Sequence, residues 1–282
     1  LHTPKVFFGV FGKACFALLE TPGGSKLPQH KAQASLRTPK RSMKQFARAS
    51  LVYLFVGLFI LVMTPIAMLW TVASGNTTFI YRAAHFCIRT AGWLCGVRVK
   101  VEGREKIRPG QNYFFVSNHQ GNFDGPVLLH AIPRDFRAVI KKEMMRIPVF
   151  SVLLKQVRFV PIDRSNPASA KTSIDCGVRL LKEGYSLVAF PEGTRSRDGQ
   201  LGPFKKGAFL MALKAKTPIL PVSIVNSRKI QPPGAYGIHP GVIEVIFHDP
   251  IFTHEPGMHD SDELAQRTRT AIASGLARDR KG

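Results

Sequence analysis

Ten consecutive residues, Ser117-Asn118-His119-Gln120-Gly121-Asn122-Phe123-Asp124-Gly125-Pro126, concentrate more reactive chemistry than any comparable stretch of the chain. An imidazole and a carboxylate are separated by a short segment containing Gly121 and Asn122, both suited to a tight turn. A carboxylate bound to one imidazole nitrogen fixes the tautomer and leaves the other nitrogen to accept a proton, which is general-base chemistry. The same spacing fits a plainer arrangement in which Asp124 caps the following helix and His119 is a loop residue. A second group is Phe190-Pro191-Glu192-Gly193-Thr194-Arg195-Ser196-Arg197. Here Gly193 permits close backbone approach, Thr194 and Ser196 offer hydroxyls, and Arg195 can grip a phosphate in a bidentate fork. The alternative is a charged surface turn with Glu192 and Arg195 paired to each other. Lys141-Lys142-Glu143 and Asp163-Arg164 add charge at two further positions, where a solvated strand terminus is the simpler reading. A GxxxxGK[ST] phosphate loop is not present. Neither HExxH nor CxxC occurs, so no metal is expected, and without GxSxG or a cysteine beside a base no acyl-enzyme is expected.

Each of these groups follows an apolar, strand-like run: 112–117, 186–190, 136–140 and 157–162 respectively. Further runs lie at 97–102, 219–225 and 242–247, with helical stretches between them. The clearest helix runs from Pro167 to Glu183, with Asn166 as N-cap and Gly184 just beyond its end. Another starts near Asp260, where Asp260 and Glu263 resemble a capping box. Strands alternating with helices predict an α/β domain whose sheet is covered by helices. Such sheets hold ligands at the carboxyl ends of their strands, so a doubly wound arrangement gathers all four charged groups on one edge.

The preceding region has a different grammar. Residues 51–70 carry no charge; at about 1.5 Å per residue they make roughly 30 Å of helix, enough to cross a hydrocarbon layer. Lys40, Arg41, Lys44 and Arg48 precede this run and Trp70 ends it, a cationic flank and an aromatic anchor. Pro65 is expected to kink or end it. Residues 77–96 place Arg82, His85 and Arg89 on one stripe beside apolar surface, which predicts an interfacial amphipathic helix. The chain thus divides into a flexible basic tail (1–48), a membrane-associated two-helix hairpin turning at Gly75–Asn76 (49–96), and an α/β domain (97–282). Lys13 interrupts the apolar stretch of the tail, which argues against a secretory leader.

Composition bounds the partners. With 45% hydrophobic residues over 282 positions, the chain has material for a core and is not wholly disordered. Forty Lys and Arg against 18 Asp and Glu give a net charge of +22, which calls for an anionic partner. No helix-turn-helix, RNP or zinc-finger pattern is present and the basic tail adjoins a lipid-seeking segment. An anionic lipid surface or a phosphorylated substrate is therefore expected, and nucleic acid is not. The four cysteines lack paired spacing, which suits a reducing compartment.

Taken in order, NHQGNFD, KKEMMRIPVF, VRFVPIDR, FPEGTRS and ILPVSI resemble the sequence blocks of the glycerolipid acyltransferases, most closely the 1-acylglycerol-3-phosphate acyltransferases. The resemblance spans roughly residues 97–225, with Pro161 a mild departure. It implies a mixed, mostly parallel sheet flanked by helices, with an N-terminal membrane-attached hairpin. It further implies His119 as general base, oriented by Asp124, deprotonating the free hydroxyl of lysophosphatidic acid. That hydroxyl would attack a thioester donor, acyl-CoA or acyl-carrier protein, giving phosphatidic acid with no cofactor. Arg164, Glu192, Gly193 and Arg195 would belong to the acceptor site together with Thr194. Lys141 is expected beside Arg195 around the phosphate, and backbone amides near Gly193 at the developing oxyanion. Since a lysophospholipid lives in the bilayer and the donor in the cytosol, the catalytic domain belongs on the cytoplasmic face, with the hairpin dipping into one leaflet or crossing and returning. Two other readings stand beside this one: the same chemistry on another lysophospholipid, and a non-catalytic anionic-lipid-binding protein.

Overall fold

A computed structural model describes residues 43–163, 167–253 and 260–280. The expectations for the basic tail up to residue 42, for Arg164 and for Asn166 as a helix cap therefore lie outside the described residues.

Two helices come first, α1 (Met43–Ser74) and α2 (Thr78–Cys95). Helix α1 continues past Pro65 instead of ending there. A proline deletes one backbone hydrogen bond, and a long apolar helix that docks on its neighbours absorbs that loss. The turn of the pair is at Gly75, which takes a left-handed φ of 67° and donates its N–H to the Thr71 carbonyl at 2.8 Å. Phe59 stacks on Phe86 and Trp70 leans on Phe79, so the two helices pair along much of their length.

Among the described residues, seven strands form one sheet: β1 (Val97–Glu102), β2 (Phe114–Ser117), β3 (Phe136–Lys141), β4 (Val160–Ile162), β5 (Ser186–Ala189), β6 (Ile219–Val225) and β7 (Gly241–Phe247). Their spatial order is β1-β7-β6-β2-β5-β3-β4. Strands β2 to β6 run parallel to one another, whereas β7 is antiparallel to β6 and parallel to β1. The carboxyl ends of β2, β3, β4, β5 and β6 consequently share one edge. All four residues of β2 and all seven of β6 are buried, as expected of parallel strands covered on both faces.

Alternation along β2 divides the core. Phe115 faces one side with Ala49, Val52, Cys95 and Leu128, contributed by α1, α2 and α3 (Asp124–Ala131). Phe114 and Val116 face the other side with Leu180, Phe209 and Ile272. Those last three belong to α5 (Pro167–Lys182), α6 (Gly207–Ala215) and α8 (Ser261–Leu276). A helix α4 (Pro148–Gln156) precedes β4, and a single turn α7 (Ser227–Ile230) follows β6. The expected mixed, mostly parallel sheet flanked by helices is thus observed. At the start of α8 only half of the expected capping box forms. Asp260 accepts from the Asp262 N–H at 3.0 Å, while Glu263 turns away to pair with Arg267 at 2.6 Å.

Candidate active site

The segment after β2 turns sharply because of what its neighbours demand. Asn118, fully buried, extends the β2–β6 ladder with its side chain. Its Nδ2 donates to the Ile224 carbonyl and its Oδ1 accepts the Ile224 N–H, both at 2.8 Å. The chain then leaves the sheet at His119. Gly121 lies against α7, where a Cβ would stand 2.7 Å from the Ser227 carbonyl, so no larger residue fits this path. The turn delivers Asp124 to the first position of α3 with its side chain pointing back at the strand end.

Asp124 is completely buried. Its Oδ2 takes the His119 Nδ1 at 2.6 Å and also accepts the N–H groups of Gln120 at 2.6 Å and Gly121 at 2.9 Å. The carboxylate therefore closes its own turn and holds the imidazole together. This resolves the two readings of the sequence: Asp124 does sit at a helix start, and it also binds His119. The other face of control is Phe190, whose ring stacks on the imidazole at 4.1 Å between centroids and 17° between planes. His119 Nε2 makes no hydrogen bond among the described residues, and the side chain keeps 24% exposure. The free nitrogen is thus available to a reacting group.

Glu192 is not paired with Arg195. Its Oε1 accepts the His119 N–H at 2.8 Å and its Oε2 the Gly202 N–H at 2.9 Å. Burial pushes its carboxyl above the ordinary range, and these two N–H bonds oppose the shift. Ser196 N–H donates to the His119 carbonyl at 2.8 Å, so both backbone groups of His119 are tied to the loop after β5. Arg195 Nη1 donates to the Asn122 side-chain carbonyl, stitching the same two loops at a second point. Gly193 adopts a φ of 76° and donates its N–H to Phe190 at 3.1 Å. The Gly193 amide is therefore used within the turn, which leaves its neighbours as the amides near Gly193 open to an oxyanion. The amides of Thr194 and Arg195 have no partner among the described residues, and Thr194 is exposed.

Lys141 ends β3, two strands away from β2 on the same edge, and pairs with Glu143 at 3.5 Å. No contact joins it to Arg195 or His119 among the described residues. Lys142 pairs with Asp163 at 3.2 Å. The structure therefore brings His119, Asp124, Glu192, Gly193 and Arg195 together, leaves Lys141 further along the edge, and is silent on Arg164. The sequence marks Asn122 only as a turn residue, and it gives no role to Asn118 or Phe190. Asn122 and Phe190 lie inside the two motif blocks, whereas the role of Asn118 depends on a strand more than a hundred residues away.

A family model described as Acyltransferase matches residues 98–225. The 1-acyl-sn-glycerol-3-phosphate acyltransferase of Pseudomonas aeruginosa is 31% identical over 194 residues, covering 67% of this chain and 74% of that protein. The chloroplastic 1-acyl-sn-glycerol-3-phosphate acyltransferase BAT2 of Brassica napus is 37% identical over 163 residues, 57% of this chain and 46% of that protein, so the chain spans about half its length. The crystal structure of the 1-acyl-sn-glycerophosphate (LPA) acyltransferase PlsC from Thermotoga maritima shares the fold, with a TM-score of 0.74 at 23% identity over 84% of this chain and 98% of that one. The blocks that carry the resemblance fall within the matched span, and the chain belongs to the glycerolipid acyltransferase family, where it is similar to the 1-acyl-sn-glycerol-3-phosphate acyltransferases.

Proposed function

We propose that this protein transfers a fatty acyl group from a thioester donor to the free hydroxyl of 1-acyl-sn-glycerol-3-phosphate, giving phosphatidic acid. The observation that carries the proposal is the His119–Asp124 contact at 2.6 Å with the second imidazole nitrogen unbonded. Asp124 keeps the proton on Nδ1, so Nε2 is basic and takes the proton of the acceptor hydroxyl. The resulting oxygen attacks the thioester carbonyl, and the carbonyl electrons move onto oxygen. When the carbon–sulfur bond breaks, the thiolate leaves and recovers the proton from Nε2. His119 ends as it began, and no acyl-enzyme is formed. The unpartnered amides of Thr194 and Arg195 are suited to the transient oxyanion. Arg195 supplies charge for the phosphate of the acceptor, with Lys141 further along the same edge and Arg164 added by the family resemblance. Glu192 acts as a positioning residue, because it fixes the main chain of His119 without facing the open nitrogen.

Helices α1 and α2 belong to this reading as the membrane attachment. Helix α1 is long and apolar enough to cross a bilayer, and the pair exposes Leu58, Leu61, Ile66, Leu69, Phe86 and Trp93. A lipid acceptor would arrive from that side, and the donor from the cytoplasm. The proposal is tested by radiolabelled acyl transfer on the purified full chain in vesicles, crossing a panel of lysolipids with acyl-CoA and acyl-carrier protein. Transfer favouring lysophosphatidic acid over headgroup-substituted lysolipids is expected. A preference for lysophosphatidylglycerol would move the assignment to another acceptor, and transfer to none would leave a lipid-binding role.

A further inference from the structure

The loop after α7 is held between two parts of the molecule that the reaction has to bring together. On one side are the first turns of α1, whose Ala49 and Val52 are buried in the core with Tyr53 and Val56 packed against it. Tyr236 of the loop lies against these turns. Its ring stands 4.8 Å from Phe46 and 5.1 Å from Tyr53 between centroids, and its hydroxyl shares a hydrogen bond with Ser50 Oγ at 3.0 Å. Gln45 Nε2 and His239 Nδ1 meet at 3.1 Å beside them. On the other side is the turn that carries His119 and Asp124. Its Asn122 N–H donates to the Gln231 carbonyl at 3.2 Å. Gln231 belongs to both sides. It is 2% exposed, so its polar groups need partners inside the protein. Its Nε2 donates to the Tyr53 hydroxyl of α1, with the Ala235 and Tyr236 carbonyls of the loop at 3.1 and 3.2 Å. Its own N–H donates to the Ser227 carbonyl at 3.0 Å. One residue therefore ties α1, α7, the loop and the turn.

Asn122 passes the constraint on. Its side-chain carbonyl accepts from Arg195 Nη1, the guanidinium assigned above to the acceptor phosphate. We infer that Gln231 is a positioning residue for the acceptor: it seats Asn122 relative to α1, and Asn122 in turn sets the direction of Arg195. His119 and Asp124 do not depend on this route. The imidazole is fixed by Asp124 and Phe190, its backbone by Glu192 and Ser196, and Asp124 by the amides of Gln120 and Gly121. Loss of the Gln231 link therefore moves the grip on the phosphate and leaves the base in place. Tyr53, Gln231 and Asn122 thus join the apolar helix α1 to the cation that receives the lipid phosphate. This role rests on the acyl-transfer reading given above and on the place of Arg195 in it.

The test measures steady-state transfer to lysophosphatidic acid by the full chain in vesicles of fixed composition, for wild type, Q231M, Y53F, R195A and the Q231M/R195A double variant, with a melting curve for each. Methionine keeps the length of Gln231 without its donor, and Y53F cuts the same link from the side of α1. KM for lysophosphatidic acid should rise ~2- to 10-fold in Q231M and in Y53F, the loss of one hydrogen bond, with kcat and KM for the thioester donor unmoved. In the double variant the further rise due to Q231M should vanish, because its route runs through Arg195. A role confined to holding the fold predicts otherwise: kcat, both KM values and the melting temperature move together, and the effects of Q231M and R195A add. That pattern, or an unchanged acceptor KM in both single variants, overturns the assignment. Where Q231M does not fold, Y53F and Y53F/R195A decide the same question. Failure of the underlying reading looks different. An unchanged acceptor KM in R195A removes Arg195 from the phosphate and the role of Gln231 with it. A raised KM in R195A alone keeps the phosphate role and overturns only the route through Gln231. Full transfer by H119A removes the catalytic reading itself.

Discussion

At the scale of single residues, the unusual feature is how many contacts converge on one imidazole. Its Nδ1 is held by Asp124, its ring by Phe190, its N–H by Glu192 and its carbonyl by Ser196. Holding a base in one orientation removes the reorganisation that would otherwise accompany proton transfer, and such a base contributes about 10²–10⁴-fold. Asp124 Oδ2 accepts three hydrogen bonds, one from His119 Nδ1 and two from the Gln120 and Gly121 amides, while Oδ1, also buried, has no partner among the described residues. Replacing Asp124 by Asn keeps the volume but offers an amide where three donors converge on a carboxylate. D124N is expected to lower kcat by roughly the same 10²–10⁴-fold, with KM for lysophosphatidic acid little changed. Steady-state kinetics on protein of native circular dichroism checks this, and an unaltered kcat would show that the carboxylate serves the turn alone.

At the scale of elements, the loops after β2 and β5 are positioned by backbone geometry that tolerates little change. In G121A the new methyl group meets the Ser227 carbonyl at 2.7 Å, and overpacking of this kind costs about 1–3 kcal/mol. The variant should melt several degrees earlier and lose transfer together with stability; a wild-type melting curve would contradict the proposed fit of this turn against α7. A second element-level feature is His248, after β7, whose Nε2 meets Ser223 Oγ at 2.7 Å. Burial, followed by the nearby Lys106 and Arg278, pushes its pKa down from 6.5 to about 4. The unfolded chain therefore binds this proton more readily than the fold does. Stability is full above about pH 6.5 and falls as pH drops from there toward about 4. Denaturant titrations across that range should show the loss, and H248Q should flatten the part due to this group; an unchanged slope in H248Q would remove it as the cause. Much of this scale was legible in sequence, because parallel strands buried on both faces read as apolar runs and each reactive group follows one of them. What escaped was long-range: the Asn118–Ile224 bonds and the Arg195–Asn122 contact in place of a Glu192–Arg195 pair. Local pattern carries no information on such pairings. Pro65 does not end α1, since the cost of a proline to a helix depends on the surroundings of that helix.

At the scale of the whole molecule, the two faces of the sheet have different company. One carries α1 and α2, whose outward surface is apolar, with Trp93 78% exposed and Leu58 54% exposed. The other carries α5, α6 and α8. The net charge of +22 adds attraction to an anionic bilayer that salt screens. Introducing arginine at Leu58 and Leu61, both outward-facing on α1, should cost about 3 kcal/mol each if that surface meets hydrocarbon. Vesicle flotation of L58R/L61R should then fall sharply, and undiminished flotation would contradict a buried apolar surface. The central claim, that acyl transfer depends on the open nitrogen of His119, is tested most directly by single-turnover transfer from a saturating thioester donor to lysophosphatidic acid in wild type and H119A, with vesicle binding measured in parallel. A rate lower by at least ~10²-fold with binding retained is the predicted result, and an equal rate in the two proteins would contradict it.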